Sequence, residues 1–139
     1  MSDAITADDL AVLTQWDTPT ICNALEEIVP ERRGHGFTTQ HLFALDSSLP
    51  PACGFARTAT IRAAEPSRET AAEMAAKRTA YYEYVAAGPM PTIAVIQDLD
   101  PIPGIGAFWG EVQTTVHIGL GVVGAVTNGS FRDVPDSAR

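Results

Sequence analysis

Lysine is almost missing from this chain: Lys77 stands alone among 139 residues. It follows Ala76 and not a glycine, so there is no Gly-Lys-Ser/Thr phosphate loop. It belongs to the charged side of a predicted helix, which leaves no buried amine for Schiff-base chemistry. Any carbonyl chemistry must therefore use a metal or another electrophile. Positive charge is scarce as a whole, since 9 Lys and Arg face 17 Asp and Glu, for a formal net charge of -8 and a pI near 4.6. No cationic stripe is present to displace counterions from a phosphate backbone, and nucleic acid is excluded as an expected ligand.

Cysteine is nearly absent too. Cys22 and Cys53 form no Cys-x-x-Cys pair and are expected as small buried apolar side chains in a reducing compartment, not as a disulfide framework. Long apolar runs are missing: none approaches the roughly 18 residues of a membrane span. The opening Met-Ser-Asp-Ala-Ile-Thr-Ala-Asp-Asp has neither the basic nor the apolar region of a secretion signal. A cytoplasmic protein with no membrane partner is expected. Internal repeats and low-complexity segments are also lacking, and the length suits one domain.

What is present reads as alternating helix and strand. Thr6 with Asp9 three residues on predicts a helix through Leu10, Val12 and Leu13. Thr18-Pro19 reads as N-cap and first residue of a second helix, with Ile21, Ala24, Leu25 and Ile28 on one stripe and Pro30 as its end. Arg32-Arg33-Gly34-His35-Gly36 is a polar connection. Two β-branched, partly alternating stretches, 37–45 and 54–63, predict two strands joined by the Ser47–Pro51 loop. The longest helix is expected over 68–86, with Ala71, Met74, Ala75, Tyr82 and Val85 as its apolar face and Glu69, Glu73 and Lys77 on the other. Gly88 and Pro89 stop it. Tyr81-Tyr82 either lines a pocket or packs the helix on a sheet or another subunit.

Thr92–Asp98 is a nearly continuous apolar run of the buried-strand kind. After Asp100-Pro-Ile-Pro103 comes Gly104-Ile-Gly-Ala-Phe-Trp-Gly110-Glu111, then a short helix over 111–118 ended by Gly119 and Gly121, and a further buried strand over 122–126. Strand, glycine turn, helix, strand is a βαβ unit, which implies a parallel pair with a right-handed crossover. The glycine spacing is superficially dinucleotide-like. Two prolines intervene, however, and Asn128 stands where a ribose-binding acid belongs, so the turn better suits a smaller anion.

In such a unit the helix start and the exit of the next strand share one sheet edge, which brings Glu111 towards Arg132-Asp133. Each alone has a plainer reading. Glu111 suits a helix dipole, and Arg132 suits an ion pair with Asp133 or Asp136. Asn128-Gly129 offers a turn that aims Arg132 back at that edge. His117 has no partner spacing and is expected packed or solvated on its helix, not as a metal ligand.

Glu111, twenty residues, then Arg132-Asp133, together with Gly110, Gly119, Val122-Val-Gly124 and Gly129, resembles the RraA-like family, which includes the metal-dependent 4-hydroxy-4-methyl-2-oxoglutarate aldolases. Asp17–Leu25 and Gly54–Thr60 look like the family's N-terminal helix and first core strand. The resemblance implies an α/β fold, either an α/β/β/α sandwich or a swivelling ββα barrel-like core with N-terminal helices. It further implies one domain over 1–139 without the C-terminal part usual in the family, and a homotrimer or homohexamer.

For chemistry the resemblance implies a lyase that cleaves a pyruvate-containing 2-keto acid, by aldol cleavage or oxaloacetate decarboxylation. Asp133 is then the ligand of Mg²⁺ or Mn²⁺, Glu111 reaches the metal through a water, and Arg132 grips the substrate carboxylate, which main-chain N–H groups of Gly110, Glu111, Val112 and Gln113 also receive. Glu111 stands where the family's aldolases carry aspartate. The family also contains regulators that bind an endoribonuclease without catalysis, and Asp133 is the residue that separates this chain from them.

Overall fold

The computed structural model describes residues 4–138, and the chain divides into two compact units, Met1–Cys53 and Gly54–Arg139. The first holds α1 (Ala7–Leu13), α2 (Thr18–Ile28) and a single 3₁₀ turn, Pro30–Arg32. Thr6 and Asp9 form the expected capping box: the Thr6 hydroxyl accepts from the Asp9 N–H at 3.2 Å and the Asp9 carboxylate from the Thr6 N–H at 2.8 Å. At α2 the cap is Asp17 and not Thr18. Pro19 has no N–H to offer, and the Asp17 carboxylate takes the next available donor, Thr20 N–H, at 2.9 Å.

The strand expected over 37–45 is not formed. Those residues run as bends and irregular chain with Phe37 and Phe43 exposed. Alternation supplies two faces but no ladder partner, and a strand without a partner leaves its main-chain donors to water. The cysteines are free, as expected, yet neither is buried: Cys22 is exposed and Cys53 half-exposed.

The second unit carries β1 (Phe55–Ile61), α3 (Ala71–Ala86), β2 (Thr92–Asp98), α4 (Glu111–Gly119), β3 (Val122–Thr127) and the one-turn α5 (Val134–Ser137). The three strands are parallel in the order β1-β2-β3, with Ala59 beside Ile96 and Ala94 beside Ala125. There are thus two successive βαβ crossovers, of which periodicity alone had singled out the second. β2 alternates as a half-covered strand should, with Thr92, Ala94, Ile96 and Asp98 buried and Gln97 exposed. Val85 of α3, Trp109 and Val122 pack with Ala94 and Ile96 to make the core.

Helix α3 starts at Ala71, three residues later than expected, because Thr70 caps it with a second box involving Glu73. Tyr81, Tyr82 and Val85 form its inner line, while Met74, expected on that face, is exposed. Lys77 pairs with Glu69 on the solvent side. On the outer margin of β1, the Tyr84 hydroxyl accepts from the Thr58 N–H at 3.3 Å, and the Arg57 guanidinium lies 4.9 Å from the centre of the Tyr84 ring. Gly121, at φ 82°, takes the left-handed turn that ends α4 and starts β3.

Candidate functional site

The carboxyl ends of the three strands are tied together by polar side chains, of which Asp98 and Asp100 are buried. Asp98, at the end of β2, accepts from the Asp100 N–H at 2.9 Å and the Gly104 N–H at 2.7 Å. These bonds, Gly104 first and Asp100 second, hold its carboxyl below the usual carboxylate range. Asn128, at the exit of β3, accepts from the Asp98 N–H at 2.7 Å and donates to the Asp98 carbonyl at 3.1 Å. Asp100 accepts from Ala63 N–H and Ala64 N–H, both at 2.8 Å, which fastens the end of β1. Ser130 donates to the Gly104 carbonyl at 2.9 Å. The glycine loop is therefore set from both flanking strands.

That loop delivers Trp109 to the core, where its indole N–H donates to the Thr114 hydroxyl at 2.9 Å. Its main chain runs parallel to Phe131, and its carbonyl accepts from the Arg132 N–H at 2.9 Å. Residues 109–111 and 131–133 thus lie side by side. A Cβ on Gly110 would come 2.6 Å from Asp133 Oδ2 and 2.8 Å from Arg132 Cγ, so this position admits only glycine at the observed spacing. The Glu111 N–H donates to Asp133 Oδ2 at 3.3 Å, and Arg132 Nε lies 3.7 Å from the same oxygen. Both contacts fall on Oδ2.

Asp133 sits at φ 51° and ψ 47°, in the left-handed region that aspartate tolerates better than most residues but still at a cost. The strain turns its carboxylate to the start of α4, where the helix's positive end favours an anion. Gly110 gives α4 no side-chain cap. The expected group of Gly110, Glu111, Arg132 and Asp133 is brought together. Val112 and Gln113 share the first turn of α4, with the Val112 side chain exposed and the Gln113 side chain turned to Tyr82, whose hydroxyl donates to its Oε1 at 3.0 Å. The chain bends at Asn128-Gly129, and the Arg132 N–H is then held by the Trp109 carbonyl, while the Asn128 side chain is committed to Asp98.

Arg132 and Asp133 remain 66% and 47% exposed, open enough to receive a ligand. A small apolar recess lined by Ile61, Ile96, Phe108, Trp109 and Phe131 lies on the core side of this group, apart from its charges. Among the described residues no three His, Cys, Asp or Glu side chains gather to hold a cation unaided. The oxygen donors present, one carboxylate with a second nearby, fit a hard divalent cation that keeps most of its waters and completes its shell with substrate. They do not fit a zinc site of nitrogen and sulfur ligands.

Sequence reasoning missed Asp98, Asp100, Asn128 and Ser130, whose roles depend on loop geometry. Asp98 and Asp100, standing just before a proline-rich break, were the available signal. It also left His117 without a role, although the ring is 1% exposed and hydrogen-bonded on both nitrogens. Among the described residues no helix is long and apolar enough to cross a membrane.

No curated protein and no solved structure matches the chain significantly. A family model described as Aldolase/RraA matches residues 18–139, a span that takes in the whole charged group, all three strands and the helices between them. The chain belongs to the RraA-like family, which includes both aldolases or decarboxylases and regulators.

Proposed function

We propose that this chain is a divalent-metal-dependent carbon–carbon lyase acting on a pyruvate-containing acid, by aldol cleavage of a 4-hydroxy-4-methyl-2-oxoglutarate-type substrate or by decarboxylation of oxaloacetate. Both reactions leave a pyruvate enolate, so negative charge develops on the keto oxygen. Lys77 is exposed and paired with Glu69, which removes the Schiff-base route. A bound Mg²⁺ or Mn²⁺, held by Asp133 and reached by Glu111 through water, supplies Lewis-acid stabilisation of that charge.

The chain's own residues do the rest. Arg132 offers its planar fork to the substrate carboxylate, which two parallel hydrogen bonds orient as lysine could not. The main-chain N–H groups of the turn from Gly110 to Gln113 add the favourable end of α4 to the same anion. Glu111 orders the water through which a proton enters or leaves. Self-assembly as a trimer or hexamer is part of this reading and is checked by light scattering.

The observation that carries the proposal is the contact of Gly110 and Glu111 with Arg132 and Asp133 at one end of the parallel sheet. Pyruvate release from a panel of 4-hydroxy-2-keto acids and from oxaloacetate tests it. Activity should require Mg²⁺ or Mn²⁺, and Arg132→Ala or Asp133→Ala should each lower it by roughly 10²-fold or more. Pyruvate formation that persists in EDTA would overturn the metal-dependent reading. Capture of an endoribonuclease with no metal-dependent pyruvate release would replace it by the regulator's role.

A further inference from the structure

His117 lies in the last turn of α4, 1% exposed, in a box of aromatic rings. Trp109 packs on it with ring centres 4.4 Å apart, while Tyr81 and Tyr82 of α3 approach at 5.6 and 5.8 Å. Its Nδ1 is 2.7 Å from the Gln113 carbonyl oxygen, and its Nε2 is 2.8 Å from the Tyr81 hydroxyl. A carbonyl can only accept, so Nδ1 carries the proton. In the neutral ring Nε2 is then the acceptor, and the Tyr81 O–H donates to it.

The same ring thus touches three parts of the molecule that meet at the proposed site. Through Gln113 it braces the first turn of α4. Through Tyr81 it fixes α4 to α3. Through Trp109 it backs the residue whose carbonyl accepts from the Arg132 N–H. We infer that His117, as the neutral Nδ1–H tautomer, is a positioning residue that seats Trp109, and with it Arg132, against the first turn of α4. The consequence for catalysis rests on the lyase reading; the structural coupling does not.

Protonation attacks this arrangement directly. A doubly protonated ring cannot accept from Tyr81, and the groups facing it are the Tyr81 and Tyr82 phenols from α3, the Trp109 indole from the preceding loop and the Gln113 carbonyl from its own helix. Among the described residues no carboxylate acts on it: burial lowers its proton affinity below the usual histidine value, and the Gln113 carbonyl offsets only part of that. Burial, then the neighbouring Tyr82 and Tyr84, push the Tyr81 phenol up to about 12, so it stays a donor throughout the neutral range. Because folding lowers the histidine's affinity for protons, the stability that the neutral ring contributes is full above about pH 6.5 and declines as pH falls from there, while the arrangement itself breaks only when pH reaches the depressed folded value.

Nitrogen-15 NMR of the full chain between pH 8 and 5 tests the inference. The expected result is an Nδ1–H signal for His117, with the Trp109 indole and Arg132 amide resonances following its titration midpoint. Tyr81→Phe keeps the ring contacts but removes the donor to Nε2, and should move that midpoint upward. His117→Phe keeps the stacking, loses both hydrogen bonds, and should displace the Arg132 amide at every pH while lowering kcat about tenfold with a smaller change in KM. An Nε2–H tautomer, or an Arg132 amide unchanged in His117→Phe, overturns the inference. Intact NMR coupling without any pyruvate release would instead defeat the lyase reading and leave the positioning role standing.

Discussion

Helices α3 and α4 follow successive strands of one sheet, yet they begin in opposite ways. α3 starts on Thr70, whose hydroxyl and main chain trade hydrogen bonds with Glu73, so its first turn is closed by its own residues. α4 starts on Gly110, which caps nothing, and the one side-chain acceptor at its first N–H is Asp133 from beyond the next strand. A self-capped start contributes stability and leaves no opening for a ligand. A start capped from elsewhere in the chain trades local stability for a place where an anion, an arginine and a carboxylate meet.

The comparison breaks hardest at Gly110. Gly110→Ala sets a methyl group against Arg132 and Asp133, and a displacement of even about 1 Å there should cost roughly 10²-fold in kcat/KM while the chain still folds. Steady-state pyruvate release beside a thermal melt checks both halves; full activity in the variant would mean that the close approach is irrelevant to chemistry. Next is Asp98, which holds the loop leading to α4. Asp98→Asn keeps the shape but offers one acceptor oxygen where two are used, so the melting temperature should fall by several degrees at pH 7. Because the Asp98 carboxyl is held below its ordinary 3.8, its contribution is present above that value and is lost as pH falls through the folded one. The variant's melting curve should accordingly be flatter than the parent's on the acid side.

The smaller effects belong to α3. Thr70→Ala removes a capping box and should cost about 1 kcal/mol in denaturant unfolding with kcat/KM unchanged. Thr70→Gly, which frees water to reach the first-turn N–H groups, should cost only a few tenths of that scale. A loss of activity in either variant would show that the two helix starts are not the independent features described above.

The elements with strong local rules were readable in the residues. β2 and β3 follow from apolar runs bounded by prolines and glycines, α1 from its capping box, and α4 from its glycine brackets. The charged group was readable because a βαβ unit forces a helix start and a strand exit to one edge. Three features were not. The 37–45 stretch alternates like a strand, but alternation says nothing about whether a neighbour exists to complete its hydrogen bonds. At α2 two good capping residues stand in succession, and a proline suits the first turn after either, so residue type alone does not choose between Asp17 and Thr18. Asp98, Asn128 and His117 act across 30 to 36 residues of chain through one or two hydrogen bonds, and no periodicity encodes such contacts.

Tyr84 has a consequence outside the site. Among the described residues β1 is a border strand, and a border strand carries outward N–H groups that another chain can adopt as a template. The Tyr84 hydroxyl already accepts from one of these, at Thr58, and the Arg57 guanidinium over its ring holds the phenol in place. Strand addition by a second molecule must displace that phenol first, so a helix that packs the core also guards the sheet's margin against aggregation.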